Sequence, residues 1–163
     1  MYFPFQVYCM FLDGALPCLI QLNLLLQRAD PIIHILYDVL LTATSTLLSR
    51  FVKPEIVAKY RIGEVSNREI EIAVEDPKNY LTFEKLFTGL LAKNKANKLL
   101  EEGDASQRDV DKFYNARLHF HKAAFLYVIK NFPLDNEVLK HSRFLNILDK
   151  QCLFECLVLG GTI

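Results

Sequence analysis

Residues that break helices are scarce in this chain, although half of it is apolar. Only 6 glycines and 6 prolines occur among 163 residues, of which 52% are apolar. Glycine and proline interrupt helices, and a fold of many short strands needs them at its turns. The composition therefore predicts a mostly α-helical fold. The apolar fraction is ample for a hydrophobic core and too high for a disordered tail.

The charges balance. The chain carries 19 Lys and Arg against 19 Asp and Glu, so its formal net charge is zero. A neutral chain does not single out nucleic acid or an acidic membrane as its partner. The length suits one helical domain over residues 1–163, or a fragment of a larger domain. We expect an irregular bundle of four to six helices.

Prolines and capping residues predict where the first helices begin and end. Asp30 is a good N-cap, and Pro31 suits the first position of a helix, where its missing N–H costs nothing. This helix should run to about Phe51, since Pro54 disfavours helical backbone just before it. Pro54 can itself start a short helix that ends near Tyr60.

The second half of the chain contains the longest predicted helix. A helix over residues 93–102 should stop at Gly103. Asp104 or Ser106 then caps a long helix that Pro133 ends. A short helix to about His141 follows, capped by Asp135 or Asn136. In the long helix the apolar spacing predicts one buried stripe, widened by neighbouring apolar residues. The stripe consists of Val110, Phe113, Phe120, Ala124 and Tyr127, and the residues that widen it are Leu118, Phe125, Ile129 and Phe132.

Residues 61–92 lack the helical spacing of apolar residues that the rest of the chain shows. Residues 69–72 alternate polar and apolar with a period of two, which is typical of a half-buried strand. Residues 76–79 read as a turn. We therefore expect an irregular connector that carries at most a small strand pair. A connector of this length suggests an insertion or a functional loop.

The amino-terminal segment is apolar, and Asp13 is its only charge up to Gln27. A signal peptide would have a positive region before its apolar run, and none is present. Asp13 and Gly14 divide the run into pieces too short to span a bilayer. We expect a core strand or helix followed by a helix over residues 15–27. A membrane-associated or secreted protein that uses residues 1–27 is the less favoured alternative.

Residue patterns typical of catalysis or metal binding are missing. The cysteines, which we expect to be buried and reduced, show no two-residue spacing of a zinc or redox site. His119 and His121 point about 200° apart on a helix, so one should be packed and the other partly exposed. Acidic residues at 109 and 111 are explained by the helix dipole. We therefore expect no enzyme activity, metal or cofactor. The cysteines are Cys9, Cys18, Cys152 and Cys156.

The best candidate for nucleic-acid contact is a basic cluster at residues 93–98. Lys93, Lys95 and Lys98 can contact phosphates, and the asparagines between them can contact base edges. The alternative is an ordinary solvated helix face, which the zero net charge favours.

Three blocks in this order resemble the hAT superfamily of transposase-like proteins. The blocks are residues 24–38 (LLLQRADPIIHILYD), 47–57 (LLSRFVKPEIV) and 131–139 (NFPLDNEVL). In that family they belong to a mainly helical insertion in a ribonuclease-H-like domain. The resemblance covers roughly residues 20–145. No acidic catalytic residue and no zinc-binding domain of the family is identifiable here, so no catalytic residue is carried over.

The resemblance implies a non-catalytic fragment or degenerate copy with a nuclear location. Its inherited role would be DNA positioning or contact with a protein, including missing parts of a larger domain. The alternative is a free-standing helical interaction module with no role on nucleic acid.

Overall fold

The computed structural model describes residues 5–29, 32–132 and 134–145. Within these ranges it contains eight α-helices, two short 3₁₀ helices and no strand, so the expected mostly α fold is confirmed. The predicted number of four to six helices was too low: α5 forms where we expected a connector, and the amino-terminal segment forms two helices. The α-helices are α1 (Phe5–Ala15), α2 (Pro17–Leu26), α3 (Ile33–Ser49), α4 (Pro54–Arg61), α5 (Asn67–Ala73), α6 (Leu90–Glu101), α7 (Gln107–Asn131) and α8 (Glu137–His141). The 3₁₀ helices are Pro77–Asn79 and Ser142–Leu145.

The amino-terminal apolar segment forms two helices that break at Pro17. Helix α1 runs through Asp13 and Gly14, and α2 begins at Pro17. Gly14 faces Gly89, the residue before α6, and a Cβ on Gly14 would lie 3.4 Å from the Gly89 Cα. Within the described ranges, no single helix is long and apolar enough to cross a membrane. Helices α1 and α2 meet that criterion only together, across a bend of 41°.

Helix α3 starts later than the sequence predicts. It begins at Ile33, and Ile32 precedes it without a side-chain cap. The predicted cap Asp30 and the predicted first residue Pro31 lie outside the described residues. Thr44 in α3 donates its hydroxyl to the carbonyl oxygen of Leu40 at 2.8 Å. The buried hydroxyl of Thr44 is thus satisfied within the helix. The Ser45 hydroxyl, also buried, has no hydrogen-bond partner among the described residues.

Helix α3 lies at the centre of the fold, against α2, α4, α7 and α8. The largest apolar cluster forms where α3 and the turn after it meet α7, with Phe51 and Phe125 both fully buried. Their ring centroids lie 6.0 Å apart in an edge-to-face arrangement. Helix α4 begins at Pro54 as predicted and contributes Tyr60 to the same cluster.

The strand prediction in residues 61–92 was wrong. Residues 67–73 form helix α5, and the only strand-like pairing in the described chain is an isolated antiparallel bridge between Val52 and Tyr80. The Ser66 hydroxyl accepts from the Glu69 backbone N–H, while the Glu69 carboxylate accepts from the Ser66 N–H at 2.8 Å. This reciprocal cap starts a helix where the alternation of polar and apolar residues suggested a strand.

The predicted caps of the later helices are largely confirmed. Gly103 ends α6 with a φ of 76°, in the left-handed region. Ser106 caps α7 reciprocally with Asp109, and Asn136 caps α8. Helix α7 ends at Asn131, while the predicted terminator Pro133 lies outside the described residues.

The buried face of α7 agrees with the predicted stripe only in part. Five of the predicted residues are buried: Val110, Phe113, Leu118, Phe125 and Ile129. Tyr127 is 72% exposed, and Phe120 and Ala124 are only partly buried. Arg117 and His121 take the central positions of the buried face instead. The prediction selected apolar residues only, and so it skipped the two polar residues that continue the helical spacing from Phe113 to Phe125.

Two isoleucines of α5 provide a test of helix against strand. In a strand Ile70 and Ile72 would share a face, whereas in α5 Ile70 is fully buried and Ile72 is 67% exposed. We expect Ile70→Ala to lower the free energy of unfolding by about 2–4 kcal/mol. The matched Ile72→Ala should change it by less than about 0.5 kcal/mol, measured by urea titration. Equal losses in both variants would contradict the helix.

Candidate functional site

Two polar residues lie one turn apart on the buried face of α7. Arg117 is 2% exposed and His121 is fully buried. A charged side chain is rarely buried to this extent unless it is paired or serves a function. The surroundings of Arg117 therefore define the candidate site.

Aromatic rings surround the Arg117 guanidinium. Its Cζ lies 5.0 Å from the ring centroid of Phe83 and 4.8 Å from that of Phe113. The Tyr114 ring is 5.7 Å away. These ring faces attract a cation, and they partly compensate the loss of hydration. No carboxylate of the described residues forms an ion pair with Arg117.

Only one of the Arg117 nitrogens has a hydrogen-bond partner. Nη1 donates to the hydroxyl oxygen of Thr88. Nε and Nη2 are buried and have no partner in the described part of the chain. Unpaired buried donors of this kind are costly, and so they call for an explanation.

A cavity of about 170 Å³ opens next to Arg117, between α6, α7 and the segment before α6. Its polar lining comes from Arg117, Thr88, Glu84, Lys93 and Asn97. Aromatic and aliphatic side chains form the remaining wall. We call this space the Arg117 cavity.

Burial lowers the pKa of Arg117 to about 10, while the nearby Tyr114 acts in the opposite direction. The guanidinium still carries its proton at neutral pH. Arg117 is therefore a fixed, buried positive charge in the wall of the cavity, and two of its donors are unpaired.

His121 is neutral under the same conditions. Its Nε2 lies 3.2 Å from the Phe87 carbonyl oxygen, which can only accept, so Nε2 carries the proton. Burial lowers the pKa of His121 to about 4. The hydrogen bond to Phe87 opposes this shift, and the charges of Arg50 and Arg117 add to it. His121 thus contributes no charge beside Arg117 at neutral pH.

The three lysines predicted as a nucleic-acid contact do not form one patch. Lys93 is exposed and lines the Arg117 cavity. Lys95 is half-buried and lies about 200° around the helix from Lys93. Lys98 is exposed and lies 3.6 Å from the Glu102 carboxylate. Only Lys93 is near the candidate site.

The histidines are placed as predicted, but one cysteine is not. His119 is exposed while His121 is buried. Cys9 is exposed, contrary to the expected burial, because it lies on the outer face of α1, and Cys18 is half-buried. The other two, Cys152 and Cys156, lie outside the described residues. The described ranges contain no group of three His, Cys, Asp or Glu side chains able to hold a metal ion.

A second concave surface lies between α2 and α3. It encloses about 560 Å³, and we call it the α2–α3 groove. One end carries Asp38, whose Oδ1 lies 3.1 Å from Nε of Arg143. Beside it, Ile20 and Leu24 on the outer face of α2 are 52% and 59% exposed. The lining is mainly apolar: Cys18, Gln21, Leu22, Leu25, Ile35, Asp38, Val39, Thr42, Ala43 and Thr46.

Comparison with protein-family models, with curated proteins and with solved structures found no match for this chain.

Sequence reasoning missed the Arg117 cavity. The available signal was that Arg117 and His121 continue the helical spacing of the buried residues Phe113 and Phe125. A polar residue at such a position must be buried or must interrupt the apolar face. The partners Thr88 and Phe87 come from a distant segment, and no local pattern predicts them.

The pKa of His121 makes stability depend on pH. It is about 4 in the folded chain and 6.5 when exposed. Between these values the unfolded state binds more protons, so the free energy of unfolding falls as the pH falls. We expect a loss of about 2 kcal/mol between about pH 7.5 and about pH 5, measured by urea titration.

Two histidine variants test whether His121 causes this pH-dependent loss in the free energy of unfolding. His121→Gln should remove most of the loss, because glutamine does not titrate. The matched His119→Gln changes an exposed histidine and should keep it. If the loss persists in His121→Gln, His121 is not its source.

Proposed function

We propose that this chain is a non-catalytic helical interaction module whose α2–α3 groove receives an apolar helix of a protein partner. The observation that carries the proposal is the groove itself, an open apolar surface between two helices of a well-packed fold. Exposed apolar patches of this kind are typical of protein-binding surfaces. The resemblance to hAT transposase-like proteins is part of this proposal, as the origin of the module.

The outer surface of α2 supports the proposal. Leu22 faces inward and is 7% exposed, whereas Ile20, Leu24 and Leu26 are between 40% and 59% exposed. A helix that is apolar on all sides is normally covered on all sides. A further helix packed along α2 and α3 would cover both the groove and these side chains.

The charges favour a protein partner over DNA. Five cationic side chains pair with acidic groups within 4 Å, which leaves less positive charge for phosphates. They are Lys98, Lys112, Lys122, Lys140 and Arg143. Of the two roles implied by the resemblance, protein contact therefore fits this surface better than DNA positioning.

A fluorescent label on Cys18 can test the groove, because Cys18 is half-buried in its lining. The other cysteines are first replaced by serine. We expect the emission of an environment-sensitive label to shift to the blue, in a saturable way, when an amphipathic leucine-lysine helical peptide is added. A peptide of the same composition in scrambled order should give none, because it lacks a continuous apolar face.

Matched variants locate the binding. Thr46→Lys adds a charge to the exposed wall of the groove and should weaken binding at least about tenfold. Thr82→Lys makes the same exchange at an exposed position outside the groove and should leave binding unchanged. Equal fluorescence shifts with the two peptides, or equal peptide affinities of the two variants, would refute the groove as a helix-binding site.

DNA positioning is the competing outcome. We expect little binding to a short DNA duplex at about 50 mM salt. Binding that falls steeply by about 200 mM salt, and that is lost when Lys93, Lys95 and Lys98 are all changed to alanine, would favour the DNA role instead.

A further inference from the structure

We propose that the chain's own carboxy-terminal segment, residues 152–159, occupies the α2–α3 groove and competes there with the partner helix. This inference rests on the proposed helix-binding function and adds the regulation of that same site. The segment lies outside the described residues. Its amino-acid sequence, the place where the described chain ends and the lining of the groove support the proposal.

The described chain ends beside one end of the groove. Helix α8 and the 3₁₀ helix Ser142–Leu145 both pack against α3. Nε of Arg143 lies 3.1 Å from Oδ1 of Asp38, which lines the groove. The Ser142 hydroxyl donates to the Ile33 carbonyl oxygen at 2.9 Å. These two contacts hold the chain at the amino-terminal end of α3, so the residues that follow Leu145 start next to the groove.

The groove is long enough for the segment and close enough to the end of the described chain. Its lining on α3 runs from Ile35 to Thr46, which is about 16 Å along the helix axis. A helix of residues 152–159 would be about 12 Å long. Residues 146–151 connect it to Leu145 and span up to about 20 Å when extended. This short connection holds the segment beside the groove at an effective concentration of roughly millimolar.

The sequence of the segment matches the apolar lining of the groove. Residues 152–159 read CLFECLVL, and Glu155 is their only charge. The pairs Cys152 with Cys156 and Leu153 with Leu157 have a spacing of four, which in a helix gives one apolar face and places Glu155 away from it. The one charged residue of the groove lining, Asp38, already pairs with Arg143. An apolar helix can therefore enter the groove without leaving a charge unpaired.

Occupation by the segment lowers the apparent affinity of a partner helix. A partner binds only when the groove is free, so its apparent affinity falls with the fraction of chains whose groove is occupied. A substitution that weakens the segment should therefore raise the affinity for a partner helix, although it does not alter the groove.

Cross-linking on the full chain tests the position of the segment, because Cys18 lines the groove and Cys152 belongs to the segment. A variant with Cys9→Ser and Cys156→Ser keeps these two thiols. We expect a short bismaleimide to join them within one chain. Trypsin should then release residues 1–28 linked to residues 151–163, which mass spectrometry detects. A variant that keeps Cys156 in place of Cys152 is measured in parallel, because either thiol can face Cys18.

The matched control keeps Cys9 instead of Cys18. Cys9 is more exposed than Cys18 and lies on α1, outside the groove. A segment that does not occupy the groove should therefore react with Cys9 at least as readily, whereas we expect linkage to Cys18 to be at least about tenfold faster. Equal rates, or no linkage of Cys18 to either thiol of the segment, would overturn the proposal. Linkage between two chains, at twice the mass, would also overturn it and would assign the groove to a second copy.

Peptide affinity tests the competition. Leu157→Gln places a polar amide on the apolar face of the segment and should raise the affinity for the leucine-lysine peptide about tenfold, measured by the fluorescence anisotropy of a labelled peptide. Thr162→Gln adds the same amide outside the apolar run and should leave the affinity unchanged.

The outcomes separate this inference from the proposed function. If the peptide binds the parent and Leu157→Gln with equal affinity, the segment does not compete, and the inference fails while the helix-binding function stands. If the peptide binds neither chain, the helix-binding function fails, and the cross-links to Cys18 and Cys9 alone decide whether the segment occupies the groove.

Discussion

The fold depends on α7 burying two polar side chains together with its apolar ones. Phe113 belongs to the apolar cluster of α1 and α6, whereas Leu118 and Phe125 belong to the cluster of α3 and α4. Arg117 and His121 lie between these residues on the same helix. The two clusters can therefore join along α7 only if the polar groups find partners between them. The segment before α6 provides one hydrogen-bond partner for each of the two side chains, Thr88 for Arg117 and Phe87 for His121.

That segment has little helical structure of its own, yet side chains and backbone hold it at both ends. Its first part donates from the Leu81 N–H to the Phe51 carbonyl at 2.8 Å, and its last part from the Phe87 N–H to the Arg50 carbonyl at 3.0 Å. Arg50 also lies over the Phe87 ring at 4.5 Å. Residues expected as an irregular connector are thus a structural link, because they satisfy polar groups on α7 and in the turn after α3.

Local signals predicted much of the helical framework, and long-range contacts decided the rest. Pro54, Gly103 and Ser106 act at the boundaries where the sequence placed them, because caps and prolines act on neighbouring residues. The strand predicted at residues 69–72 was wrong, although a local signal for a helix was also present. Ser66 and Glu69 have the spacing of a reciprocal cap at a helix start. The hydrogen-bond partner of Arg117 had no such local signal, since Thr88 is 29 residues away.

The neutral state of His121 is a condition for the charge of the Arg117 cavity. A protonated imidazole one turn away would add a second buried cation, and the charges of Arg50 and Arg117 already disfavour this. The Nε2 proton held by the Phe87 carbonyl keeps the ring oriented without a charge. Among the described residues, Arg117 is therefore left as the one buried cation between the two apolar clusters.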